Sequence, residues 1–224
     1  MKFTALLVDF YGTIVEEADT YVKEICDKVS HSLQDHVAPH EIAKQWFQIV
    51  PRMCFNAYGP DFRLQKDIGV ASLQDVLRRF QCDLNSWELM QPIRDYWTAP
   101  KIFPESKSVL TRCNLSTIIV TNADDEFIYP ALAKHDLSFS SVITSESCRS
   151  YKPRADTFLK ALDVLGLSNE EVLFVGDSYA NDVLGAKSLR IPVLWINRKK
   201  KVLCKTDKKP EFIASDLRGV LNYL

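Results

Sequence analysis

Asp9 closes the apolar run FTALLVD, Thr121 and Asn122 close LSTIIVTN, and Asp177 closes EVLFVGD. Lys152 follows a further run, FSSVITS, within SYKPRADTF, and Asp182 lies five residues beyond Asp177 in GDSYANDVLGA. A carboxylate at a strand terminus can act as a nucleophile, forming a covalent intermediate that water later hydrolyses. The Gly12-Thr13 turn after Asp9 lets backbone N–H groups approach an anion closely. Thr121 and Asn122 offer a hydroxyl and an amide to the oxygens of an anionic group, and Lys152 offers a fixed positive charge. Asp177 and Asp182 would bring three carboxylates, with Asp9, to one point. Unshielded, they would repel, and some would stay protonated at neutral pH. A hard divalent cation such as Mg2+ removes that conflict, because it takes oxygen ligands and commonly shares carboxylates with a substrate phosphate. Singly, each residue has an ordinary structural role: a turn or helix cap for the acids and Thr121-Asn122, a surface position for Lys152. It is their joint occurrence at four strand ends that points to a site.

The elements that must position them read as follows. Compact apolar runs at Phe3–Asp9, Leu115–Thr121, Phe139–Ser145, Glu171–Asp177 and Ile191–Asn197 have the character of strands buried on both faces. Between them lie helix-like segments at Pro104–Cys113, Asp125–His135, Asp156–Leu165 and Asp182–Leu189. Alternation of this kind predicts βαβ units, a parallel sheet and helices on both faces. In such a sheet ligands bind beyond the carboxyl ends of the strands, where the polar residues sit. Residues 16–95 break the rhythm. Tyr21, Ile25, Val29 and Leu33 recur every four, and Ile42, Trp46, Ile49 and Met53 do nearly so. Further helical pattern runs through Ala71–Phe80 and Trp87–Trp97, with loop punctuation at Tyr58-Gly59-Pro60. A helical insertion after the first strand is the simplest account. Trp46, Phe47 and Trp97 are expected in its core.

Composition sets the surroundings. The hydrophobic fraction is 46% and the charged fraction 25%, enough for a full core, and the formal net charge of -1 gives no global attraction to nucleic acid or anionic membrane. The six cysteines have neither metal-knuckle nor CxxC spacing and read as reduced thiols of a reducing compartment. MKFTALLVDF, broken by Asp9, is too short for a signal peptide, so a cytoplasmic location is expected. The basic run RKKKVLCKTDKK, Arg198 to Lys209, reads as a solvated loop. The oligomeric state is not readable.

DFYGT at Asp9 to Thr13, TN at Thr121-Asn122, KP at Lys152-Pro153 and GDSYAND at Gly176 to Asp182 resemble the four motifs of the haloacid dehalogenase superfamily. The resemblance spans nearly the whole chain. It implies an α/β, Rossmann-like three-layer core with parallel strand order 5-4-1-2-3, formed by residues 1–15 and 96–224, and an inserted helical cap at 16–95. By similarity Asp9 is the nucleophile, Thr121 the second-motif hydroxyl and Lys152 the third-motif lysine. Tyr11, Gly12, Thr13 and Asn122 are implied at the substrate. Asp9, the Tyr11 carbonyl, Asp177 and Asp182 are implied at a Mg2+ ion.

One position departs from the family's phosphatases. They carry a second aspartate two residues after the nucleophile, as acid for the leaving alkoxide and base for the attacking water. Here that residue is Tyr11, as in the family's metal-free 2-haloacid dehalogenases, whose halide needs no proton. Asp177 points the other way, since those dehalogenases resemble a serine and asparagine arrangement there. Losing a general acid costs roughly 10²- to 10⁴-fold, and less with a good leaving group, whereas an unmanaged carboxylate cluster opposes any anionic substrate throughout. The expectation is therefore a Mg2+-dependent phosphatase on a small phosphorylated metabolite. The rivals are a metal-independent dehalogenase-like hydrolase and a weakened member that only binds a ligand. Substrate choice is expected in the insertion, with Arg52, Tyr58, Arg63 and Lys66 as candidates.

Overall fold

A computed structural model describes residues 3–35 and 37–224. Six strands form one parallel sheet: β1 (Ala5–Val8), β2 (Ser116–Thr121), β3 (Ser141–Thr144), β4 (Val172–Gly176), β5 (Val193–Ile196) and β6 (Phe212–Ala214), in the order β3-β2-β1-β4-β5-β6. The expected order is present, extended by β6 at the β5 edge. That strand has three residues, its central Ile213 is exposed, and so short an edge pattern does not stand out from a loop.

Successive residues of a strand face opposite sides of its sheet, and both sides here are covered. On one side Leu6, Val8, Ile119, Val175 and Leu194 pack with Val109 of α5 (Ser106–Arg112) and Ile128 and Ala131 of α6 (Asp125–His135). On the other, Leu7, Ile118, Val120, Phe174 and Trp195 pack with Phe158 and Ala161 of α7 (Ala155–Leu165) and Ala186 of α8 (Leu184–Ser188). This is the three-layer α/β arrangement.

Between β1 and α5 run α1 (Asp19–Ser32), α2 (Pro39–Asn56), α3 (Gln65–Arg79) and α4 (Ser86–Thr98), which bury a cluster of their own that includes Ile25, Val29, Ile42, Trp46, Ile49, Leu73, Leu77 and Ile93. Trp46 is inside, with Nε1 donating to Ser72 Oγ at 2.9 Å, and Trp97 packs edge-on against Phe127. Phe47, by contrast, is 57% exposed. It neighbours Trp46 on the helix and so faces away from the buried stripe. The segment read as a loop from Arg52 to Lys66 is mostly the end of α2, a 3-10 turn at Gly59–Asp61 and the start of α3. Leu64, preceding α3, cannot cap it. Asp124, just after β2, does so instead, accepting from the N–H groups of Gln65 at 2.7 Å and Lys66 at 3.0 Å.

Register explains why the strand ends coincide. Val8 pairs with Ile119 on one side and Val175 on the other. Asp9 therefore emerges level with Val120 and Gly176, one residue before Thr121 and Asp177, and its N–H is still held by Val175 O at 2.9 Å.

Candidate active site

Lys152 is the hub. Its ammonium is 3% exposed as a residue and donates to Asp9 Oδ1 at 2.7 Å, Asp182 Oδ1 at 2.7 Å and Val120 O at 2.8 Å, so all three protons are used. Burial alone would lower its pKa, but the charges of Asp182 and Asp9 outweigh it and hold the ammonium above the usual lysine range. Thr13 Oγ1 donates to the other Asp9 oxygen at 3.1 Å. Both oxygens of the expected nucleophile are thus oriented before any substrate arrives.

Asp182 reaches this point because the chain after β4 does not enter an ordinary helix. Residues Tyr179–Val183 form a wide π turn, with Asp182 and Val183 both donating their N–H to Ser178 O, an irregularity often found at functional sites. The helix expected to start at Asp182 instead begins three residues earlier, at Tyr179, as this turn. Asp182 lies inside it, fully buried, with Oδ2 accepting from the Ser178 N–H at 2.9 Å. Gly176 leaves room for that carboxylate, which a Cβ would strike.

Asp177 completes the cluster: one oxygen from each of Asp9, Asp177 and Asp182 lies within 4.8 Å of the others. Gly12, at φ +87°, is required here on two counts, since a Cβ would be strained and would stand 2.5 Å from Asp177 Oδ1. The Asp177 carboxylate receives no hydrogen bond from the described residues, although its main-chain carbonyl accepts from Trp195 Nε1 at 2.8 Å. Burial first, then Asp9 and Asp182, push its carboxyl up to about 8. Asp182 is pushed up to about 6 by burial, opposed by Lys152 and reinforced by Asp9. Three acids around one ammonium are short of positive charge, and their oxygen-only donor set fits a hard divalent cation.

The remaining expected residues divide. Thr121 is buried at the end of β2, and its Oγ1 accepts from the Ala123 N–H at 3.3 Å, with no acceptor for its own proton among the described residues. Asn122, expected to hold an anion, also clamps the Lys152 main chain: Oδ1 accepts from its N–H at 2.7 Å and Nδ2 donates to its carbonyl at 3.2 Å. That leaves one amide hydrogen over. Tyr11 turns toward the insertion, donating its hydroxyl to Trp97 O at 2.6 Å while packing edge-on against Phe10. Burial, followed by the charge of Glu17, pushes its phenol far above the usual tyrosine range. Of the insertion candidates, Lys66 pairs with Glu126 and Tyr58 lies under the Arg154 guanidinium at 3.5 Å. The first ties the insertion to α6 and the second to the start of α7. Arg52 and Arg63 are placed away from the cavity described next.

That cavity, about 280 Å3, opens beside Gly12 and Asp177 and is lined also by Glu16, Glu17, Asp19, Phe103, Arg198 and Lys199. Glu17 is exposed to it, and enclosure by surrounding protein, followed by the charges of Asp9 and Asp19, pushes its carboxyl above the usual range. Arg198 departs from the solvated-loop reading of its basic run. It donates from Nη2 to Thr13 O at 2.9 Å and from Nε to Gly12 O at 3.3 Å, pairs with Glu105 at 2.7 Å and stacks on Phe103. It holds the turn after Asp9 from outside. The only sequence signal for this is its place directly after a core strand end.

The comparisons agree with this geometry. The model of the haloacid dehalogenase-like hydrolases matches residues 3–190. The haloacetate dehalogenase H-2 of Moraxella sp. (strain B) is 27% identical over 228 residues, 100% of this chain and 98% of that protein. A phosphoglycolate phosphatase of Photorhabdus laumondii subsp. laumondii is 38% identical over 104 residues, 44% of each chain. In fold, the crystal structure of the L-2-haloacid dehalogenase RSc1362 superposes with a TM-score of 0.81 at 20% identity, covering 100% of this chain and 99% of that one. With the family model spanning the first strand to the turn beyond Asp182, this chain belongs to the haloacid dehalogenase-like hydrolases.

Proposed function

We propose that the chain is a Mg2+-assisted phosphohydrolase acting on a small phosphorylated metabolite, with Asp9 as nucleophile. The observation that carries this reading is the unpartnered Asp177 carboxylate beside Asp9 and Asp182, three acids against the ammonium of Lys152. Without added positive charge, that cluster would repel a phosphate ester or a haloacid alike. Asp9, Asp177 and the Tyr11 main-chain carbonyl are the oxygens that would hold the ion. Asp182, whose two oxygens already accept from Lys152 and Ser178, would back them. Bound there, Mg2+ would supply positive charge to the oxygens of the transferred phosphoryl group.

The rest falls to the chain itself. Lys152 and Thr13 keep the Asp9 carboxylate aimed, so that one oxygen is delivered to phosphorus with little loss of freedom left to meet. The free Thr121 proton, the spare Asn122 amide hydrogen and the N–H groups of the Gly12-Thr13 turn are the donors for phosphoryl oxygens. Residues 16–95 serve as a cap over the core formed by 1–15 and 96–224. The Asp124–α3 hydrogen bonds, and that of Tyr11 to Trp97 in the last turn of α4, a cap helix that runs past residue 95 to Thr98, support a closed arrangement. The six free cysteines accord with a cytoplasmic setting, and among the described residues no helix is long and apolar enough to cross a membrane.

The test is phosphate release from an aryl phosphate such as p-nitrophenyl phosphate. Release should require Mg2+ and cease with chelator. The second reading, a metal-independent haloacid dehalogenase, is favoured by Tyr11 and by the full-length haloacetate dehalogenase relative. It expects chelator-insensitive halide release from a 2-haloacid and tolerance of Asp177→Ser. Either result would displace the phosphohydrolase.

Metal binding has a readout independent of turnover. A carboxylate whose folded pKa is raised binds protons that the unfolded chain has already lost, so stability falls as pH rises toward the folded value. With Asp182 at about 6 and Asp177 at about 8, the metal-free protein should lose stability from about pH 5 to about pH 8. Mg2+ favours the ionised cluster and should restore it, by about 2.7 kcal/mol at a hundredfold excess over Kd. Thermal melts at both pH values, with Mg2+ and with chelator, measure this. A Mg2+ stabilisation as large at pH 5 as at pH 8 would contradict it.

A further inference from the structure

An alkyl phosphate expels an alkoxide, which needs a proton, and the residue two positions after the nucleophile cannot provide one. Tyr11 spends its hydroxyl proton on Trp97 O. Resting on the phosphohydrolase reading above, we propose that Glu17 is the general acid and base of this site.

Glu17 lines the cavity that reaches Gly12 and Asp177, so a leaving group entering from that side would meet it. Its carboxyl has no hydrogen-bond or ion-pair partner among the described residues, and the other acids at hand are committed. Glu16 pairs with Lys101 at 2.8 Å, Asp19 with Lys199 at 2.6 Å, and Asp124 accepts two backbone N–H groups of α3. Asp9, Asp182 and Lys152 are locked together, and Asp177 belongs to the metal cluster. The charged groups that line the cavity with Glu17 are Glu16, Asp19, Asp177, Arg198, Lys199 and Lys201, and the charges of Asp9 and Asp182 act on it as well. Enclosure by the surrounding protein, reinforced by the charges of Asp9 and Asp19, favours a protonated Glu17 in the resting site, the form a general acid needs. Glu17 also sits between the Asp9 loop and α1, two residues before that helix begins.

In the first step an Asp9 oxygen bonds to phosphorus as the bond from phosphorus to the leaving oxygen breaks. The Glu17 proton passes to that oxygen, releasing an alcohol. In the second step the Glu17 carboxylate takes a proton from water. The water oxygen bonds to phosphorus, the bond to Asp9 breaks, and phosphate leaves with Asp9 ionised and Glu17 protonated again.

Leaving-group dependence separates this role from a structural one. Glu17→Gln and wild type are compared by kcat/KM, which reports steps through phosphorylation of Asp9, on an alkyl phosphate and on p-nitrophenyl phosphate. The expected loss is on the order of 10²- to 10⁴-fold for the alkyl ester and much smaller for the aryl ester. Glu17→Asp should recover part of the alkyl activity, and Glu24→Gln, on an exposed glutamate of α1 that does not line the cavity, should leave both substrates unaffected. Equal losses on both esters, or none on either, would overturn the Glu17 assignment while leaving the phosphohydrolase intact. Wild-type protein that releases no phosphate from either ester would overturn both. Matching melting curves of Glu17→Gln and wild type would show that the loss is not one of folding, since the side chain is exposed and bonds to nothing.

Discussion

Asp9→Asn should abolish turnover while leaving the fold intact. Removing a covalent nucleophile can cost on the order of 10⁶-fold in kcat, and no other carboxylate is placed to replace it. Asp182 is fully buried beneath Lys152, and Asp177 lacks the lysine and threonine contacts that aim Asp9. An asparagine preserves the shape. Its carbonyl can still accept from Lys152, and its amide can donate to the Thr13 hydroxyl. It also removes one of three crowded negative charges, so metal-free Asp9→Asn should melt no lower than wild type at pH 8. The result is expected under phosphate or halide chemistry alike, because both begin with attack by this carboxylate. The checks are kcat with the active substrate, melting temperature, and mass spectrometry of quenched wild-type protein for an adduct on Asp9. Turnover within tenfold of wild type would mean that the nucleophile lies elsewhere.

Much of this site was legible because its residues punctuate buried strands. A lone polar residue ending an apolar run is a local signal, and Asp9, Thr121 and Asp177 all carry it. The parallel register then brings those ends level without further information. Lys152 and Asp182 needed the motif spacing as well, since each comes to the cluster through a loop or a widened turn. What the sequence concealed depends on contacts between distant segments. Arg198 grips carbonyls of residues 12 and 13 from about 185 positions away, yet reads as one more cation in a basic run. Asn122 looks like a substrate contact, but its amide matches the Lys152 main chain 30 residues on. Asp124 caps a helix nearly 60 residues earlier. Glu17 follows another glutamate in a short linker, and only the pairing of Glu16 with Lys101 distinguishes the two.

Lys152 governs both stability and reactivity, and Lys152→Met should reveal the two together. Methionine fills similar space but leaves Asp9, Asp182 and the Val120 carbonyl without their shared donor. Breaking a buried ion pair by removing one partner costs about 3–5 kcal/mol, because the remaining charge stays buried and uncompensated. The loss should depend on pH in a direction set by the acids. The lysine's own pKa is raised above an already high reference value, so its charge is fully present from pH 5 to pH 8 and contributes no slope there. Asp182, at about 6 even with the lysine in place, must move higher without it. The folded variant therefore takes up protons that its unfolded chain has released, and its stability falls as pH rises. Urea unfolding should find the deficit near its full size at pH 8 and distinctly smaller at pH 5. Adding Asp182→Asn should cost less in the Lys152→Met background than in wild type, since it removes the charge that the lysine had balanced. A deficit of equal size at both pH values would place the lysine's contribution in packing rather than in its charge.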